Sequence, residues 1–161
     1  MALTLSSGSF NDGDYLSDKH CLSSEFGFGC DGKNVSPELH WEGIPDGTKS
    51  LALTCYDPDA PTGSGFWHWV VVNIPPDAVS IPEGANGLPD AAMETRTDFG
   101  KPGYGGPCPP EGDHPHRYIF TLFSLSVESL PVEPDTSAAI VGFMLNFNTI
   151  EKATLIGLYK R

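Results

Sequence analysis

Apolar residues gather in short runs along the chain, and three of these read as strands: Ser50–Asp57 (SLALTCYD), Phe66–Ile74 (FWHWVVVNI) and Arg117–Ser126 (RYIFTLFSLS). Each is rich in β-branched and aromatic side chains and is bounded by Gly, Pro or Asp. Leu3–Ser7, Glu38–Trp41 and Ala153–Tyr159 carry weaker versions of the same pattern. From Thr136 to Phe147 the period changes. Ile140, Met144 and Phe147 recur there at helical spacing, which predicts a helix with one packed side. Several strands and a helix predict a mostly β domain, either a sandwich or a β-rich α+β fold.

Alternation along the strands sorts side chains into faces. Leu51, Leu53, Cys55 and Asp57 share one; Phe66, His68, Val70 and Val72 share another. His116, Tyr118, Phe120 and Leu122 form a third if the extended path begins just before Arg117. Each face is apolar along its length and polar at one end. Antiparallel pairing of Ser50–Asp57 with Phe66–Ile74 brings Asp57 and His68 to one sheet edge. A third strand of suitable orientation adds His116 and Tyr118. Polar groups converging over an apolar floor predict a small-ligand pocket. Trp67, Trp69 and Arg117 are expected to point away from it, the tryptophans into interlayer packing and Arg117 into a structural ion pair.

The loops at that edge are stiff. Asp57-Pro58-Asp59-Ala60-Pro61 contains two fixed φ angles, and Gly105-Gly106-Pro107-Cys108-Pro109-Pro110 contains three. Cys108 carries the one backbone N–H between Gly106 and Glu111. Preorganised loops with few aimed donors suit ligand binding, since little entropy is lost on association.

Composition bounds the function. The 161 residues are read as a single domain spanning 1–161, with no internal repeat or interdomain linker. No apolar run approaches the ~20 residues of a membrane helix, so no stable membrane insertion is expected. Met1–Phe10 lacks a basic start and a signal-length apolar core, which predicts a cytoplasmic protein. A formal charge of −12 repels nucleic acid and anionic headgroups at long range, although a local pocket can still take one small anion. The four cysteines form no CxxC pair and are read as free thiols, with Cys21 and Cys30 near enough in sequence to bridge under oxidising conditions.

These residues resemble the phosphatidylethanolamine-binding protein family, in particular its bacterial and archaeal branch, the Raf kinase inhibitor-like proteins. The resemblance lies in Asn34-Val35-Ser36-Pro37-Glu38-Leu39-His40-Trp41, in the DPDAP run Asp57–Pro61, in WHWVVVN from Trp67 to Asn73, and in GPCPPEGDHPHRY from Gly106 to Tyr118. It implies a β-sandwich domain with one or two peripheral helices. It also implies a pocket for phosphate, acetate or similar groups, formed by Asp57, Asp59, His68, His116 and Tyr118, with the Cys108 amide facing the anion. Phospholipid-headgroup binding, kinase inhibition and protease inhibition are all associated with the family. Animal members continue past the last strand into a helix that covers the pocket. Here the sequence ends at Arg161, which implies a more open pocket or one covered by a second subunit of a homodimer, with the Thr136–Phe147 helix as an alternative wall.

Each residue also has a plainer role. Asp57 and Asp59 can cap turns, and His68 can be a satisfied core histidine. Zinc binding by His114, His116, Cys108, Asp57 and His68 lacks specific spacing, and no metal or cofactor is expected. Ser64 has no nucleophile-elbow context, and a Cys108–His nucleophile pair is disfavoured by the prolines around it. The expected function is therefore non-enzymatic recognition of a small anionic group: a phosphate, a phospholipid headgroup or a carboxylate. The alternative is a protein-interaction role, inhibiting a protease or kinase through exposed loops.

Overall fold

The computed structural model describes residues 1–161. Eight strands run in chain order: β1 (Thr4–Ser6), β2 (Leu39–Glu42), β3 (Ser50–Asp57), β4 (Phe66–Ile74), β5 (Ser80–Ile81), β6 (Met93–Glu94), β7 (His116–Leu125) and β8 (Thr149–Tyr159). One α-helix, α1 (Ala138–Asn148), precedes β8, and two short 3-10 turns cover Asp18–His20 and Ser24–Phe26. The three strong strand patterns are β3, β4 and β7. The weaker ones are β1, β2 and β8, the last beginning four residues earlier than its pattern suggests, at Thr149.

The strands form two antiparallel sheets, ordered β1-β2-β5 and β6-β4-β3-β7-β8. The main core lies between them. Leu5 of β1, Trp41 of β2 and Ile81 of β5 meet Leu53, Trp69, Val71, Phe120 and Leu122 of the larger sheet. The outer face of the larger sheet buries Ala52, Val70, Val72, Phe123 and Leu125 under α1. Burying both faces of the central strands explains why β3 and β4 read as nearly continuous apolar runs.

The face assignment for β4 needs correction. Val70 and Val72 lie on the helix side, whereas Trp69 and Val71 belong to the inner core. The cause is a β-bulge: Cys55 pairs with Trp69 and Tyr56 with Trp67, which leaves His68 as the extra residue. A bulge shifts the phase of alternation by one. His68 and Trp69 therefore both turn inward, and of the two tryptophans only Trp67 packs on the helix side. A second irregularity follows between Leu51 and Leu53, where Asn73 takes a positive φ of 58°.

The helix occupies the expected segment but buries a different stripe. Ser137 caps it, its hydroxyl accepting from the Ile140 N–H at 3.3 Å. Ala138, Val141 and Leu145 are buried, whereas Ile140, Phe143 and Phe147 are exposed. The segment is apolar almost all round, so periodicity could not choose the packed stripe. Small residues decide it, with Gly142 lying against the Trp67 ring. This position on the outer sheet face also keeps α1 from walling the pocket.

The cysteines are not all free. Cys30 and Cys108 form a disulfide across 78 positions, while Cys21 and Cys55 remain buried thiols. Cys21, the partner considered for Cys30, has its thiol pushed up to about 11 by burial. A disulfide of this kind persists in oxidising surroundings, so cysteine chemistry gives no support to the cytoplasmic expectation. No helix is long and apolar enough to cross a membrane.

Candidate functional site

Asp57 ends β3, and His116 and Tyr118 open the neighbouring β7. His68 enters from the β4 bulge on the other side of β3. All four line a cavity of about 150 Å³ at one edge of the larger sheet, together with Cys108. The rim is apolar and comes largely from loops: Leu22, Phe28, Phe99, Pro61, Pro109 and Pro110.

His68 is held by its surroundings. Its Nδ1–H donates to the Gly105 carbonyl at 2.7 Å, and the Gly105 N–H donates to the His68 carbonyl at 3.0 Å. The bond at Nδ1 leaves Nε2 as the ring nitrogen available to a ligand. The rings of Phe66, Phe99 and Tyr118 stand 5.1–5.4 Å from the imidazole, centroid to centroid. Burial pulls the His68 pKa below its usual value, only partly offset by the Gly105 carbonyl. Tyr118 has no hydrogen-bond partner in the protein, and burial pushes its hydroxyl pKa far up, so it remains a neutral O–H.

His116 differs. Its Nδ1 lies 2.7 Å from Asp57 Oδ2 and its Nε2 3.0 Å from Asp113 Oδ2. Burial pulls its pKa down, but hydrogen bonds to the two carboxylates outweigh this and raise it. The expected donor to a ligand thus has both nitrogens already engaged. Asp57 is fully used as well, its Oδ1 accepting from the Asp59 N–H at 2.7 Å.

Asp59 does not line the cavity. It takes the Arg117 Nε at 3.0 Å, Nη2 at 2.9 Å and backbone N–H at 2.9 Å. Those contacts pull its carboxyl down to about 2. This is the structural ion pair expected of Arg117, and it removes Asp59 from the pocket.

The proline-rich wall is tied down at three places. The disulfide joins Cys108 to the segment that carries Phe28. Asn34, at a positive φ of 54°, donates to the Tyr104 carbonyl at 2.9 Å and accepts from the Gly106 N–H at 2.8 Å. Arg161 Nε donates to the Pro109 carbonyl at 2.6 Å. Gly106 passes so close to the His20 carbonyl that no Cβ fits there. The Cys108 N–H donates to no protein acceptor. Sequence reasoning missed Phe28, Phe99, Asn34 and Asp113. Of these, Asp113 had a visible signal, a carboxylate three residues before a candidate histidine.

The family profile described as phosphatidylethanolamine-binding protein matches residues 6–160. The chain belongs to the phosphatidylethanolamine-binding protein family. Among its relatives in this family are two Escherichia coli K12 proteins. The UPF0098 protein YbcL is 48% identical over 164 residues, covering 99% of this chain and 88% of the relative. The UPF0098 protein YbhB is 48% identical over 161 residues, covering 98% and 99%. The crystal structure of E. coli YbcL, described as a new member of the mammalian PEBP family, superposes with a TM-score of 0.95 at 46% identity, covering 100% and 99%. Carboxypeptidase Y inhibitor, solved in complex with its cognate proteinase, shares the fold alone, with a TM-score of 0.53 at 18% identity and coverage of 99% and 82%.

Proposed function

We propose that the cavity binds a small ligand through an anionic group, without chemical transformation. The observation that carries this reading is that three residues lining one small cavity each keep a group without a protein partner: the His68 Nε2, a donor once protonated, the Tyr118 hydroxyl and the Cys108 amide. A bound anion supplies the counter-charge that burial denies His68, so ligand and proton enter together. The apolar rim favours a phosphate or carboxylate with a nonpolar substituent, a phospholipid headgroup among them. Catalysis is not part of the proposal. Cys108, tied in a disulfide, has no thiol to act as nucleophile, and the histidines stand beside no activated hydroxyl.

A second reading is inhibition of a protease or kinase through a surface away from the cavity. The apolar face of α1 favours it, since Ile140, Phe143 and Phe147 are exposed there. Calorimetric titration with sulfate and phosphate monoesters separates the two. Binding by wild type that is lost in His68→Ala supports the pocket reading. Absence of any binding, with protein partners captured equally by wild type and variant, overturns it in favour of the second.

A further inference from the structure

His116 is a buried histidine, 1% exposed, held between two carboxylate oxygens. An ionised carboxylate only accepts hydrogen bonds, so both ring nitrogens must carry protons to satisfy this arrangement. His116 is therefore an imidazolium lining the cavity, and it is the strongest anion donor there. None of its donors is free.

The two carboxylates are not equivalent. Asp57 is buried at the end of β3 and also accepts from the Asp59 N–H, which makes it part of the framework. Asp113 lies in the loop before β7, with its side chain 34% exposed. Its backbone N–H reaches the Pro110 carbonyl at 3.3 Å, and Gly112 before it sits at φ 87° with nothing within 4 Å of where a Cβ would stand. Other charges near the ring are already paired: Asp59 holds Arg117, and the exposed His114 ring lies 5.5 Å away, its Nε2 3.8 Å from Asp59. Across the cavity Tyr118 offers a neutral O–H, while neutral His68, its proton on Nδ1, presents Nε2 as an acceptor until it is protonated.

Resting on the pocket reading above, we propose that Asp113 is a built-in competitor for the ligand: its carboxylate occupies the His116 Nε2–H that an incoming anion takes over. Ligand binding then exchanges one anion for another on the same N–H, and Asp113 swings to water from a position already partly solvated. The exchange explains how an acidic chain keeps a buried cationic donor satisfied while the cavity is empty. It also sets specificity. A monocarboxylate gains little by replacing a carboxylate, whereas a dianion gains more.

The test is sulfate titration near pH 6, where His116 remains charged, of the full chain as wild type, Asp113→Ala and Asp113→Asn. Losing a charge-assisted bond that the ligand must otherwise break makes binding to Asp113→Ala tighter by about tenfold to a hundredfold. Asp113→Asn, which keeps an uncharged acceptor, falls between. Nitrogen-15 spectra of the imidazole place the sulfate-induced change at His116 Nε2 in all three. Equal or weaker binding in both variants while wild type binds overturns the inference and leaves the pocket reading standing. Tighter binding without a change at His116 Nε2 overturns it too. Sulfate binding to none of the three overturns both.

Discussion

His68 and Gly105 hold each other by two hydrogen bonds, ring Nδ1–H to carbonyl at 2.7 Å and amide N–H to carbonyl at 3.0 Å. One bond fixes the tautomer. Both fasten the glycine-proline wall to the bulge in β4. In His68→Ala the buried Gly105 carbonyl loses its side-chain donor, and the variant should lose about 1–3 kcal/mol of stability in urea unfolding. An unchanged midpoint would show that the ring does not hold the wall.

Sulfate keeps its charge across the neutral range, so its binding isolates the protein's own titration. Burial lowers the His68 pKa in the free protein, and a bound anion must raise it. Affinity is therefore greatest below that lowered pKa, falls as pH rises through it, and levels off above the pKa of the complex. The fall begins below the ordinary histidine value of ~6.5. Titrations from acid to alkaline pH check the sign, and affinity that rises with pH would exclude an imidazolium donor.

Folding stability should respond to the two histidines with opposite slopes. His116 has a raised folded pKa, so its contribution is full below ~6.5 and is lost as pH rises through the folded value. His68 has a lowered folded pKa, so stability is lost as pH falls from ~6.5 through that value. Urea midpoints across this range in wild type and His116→Gln test the first slope. The variant should flatten the alkaline decline, whatever its absolute stability.

The Cys30–Cys108 bond closes a loop of 78 positions. Its removal in Cys30→Ser should lower stability by roughly 2–4 kcal/mol. Thiol titration of the unreduced, denatured protein should find two of the four cysteines, Cys21 and Cys55. Four reactive thiols would mean that the bond is absent.

The two stripes of α1 should differ sharply on substitution. Leu145→Ala empties a site that is 1% exposed, at a cost of about 2–5 kcal/mol. Phe147→Ser alters a side chain that is 74% exposed and should change stability by less than about 0.5 kcal/mol. Equal losses would mean that Phe147 is covered in solution.

By itself the sequence determined the strands, the helical segment and the edge at which Asp57, His68, His116 and Tyr118 meet. It could do so because strand composition and alternation along β3 and β7 are local properties, and unbroken alternation runs straight to Asp57 and Tyr118. The tertiary structure decided what local periodicity cannot carry. One extra residue in β4 inverted the faces of Trp69, Val70 and Val72, and a bulge is defined by the partner strand opposite it. The packed stripe of α1 was chosen by the sheet beneath, because the helix is apolar on nearly every side. Cys30 met Cys108, and not Cys21, through the folding of two distant loops. Asp59 was drawn from the pocket to Arg117, and Asp113 onto His116, because a carboxylate takes the cation that the fold places beside it.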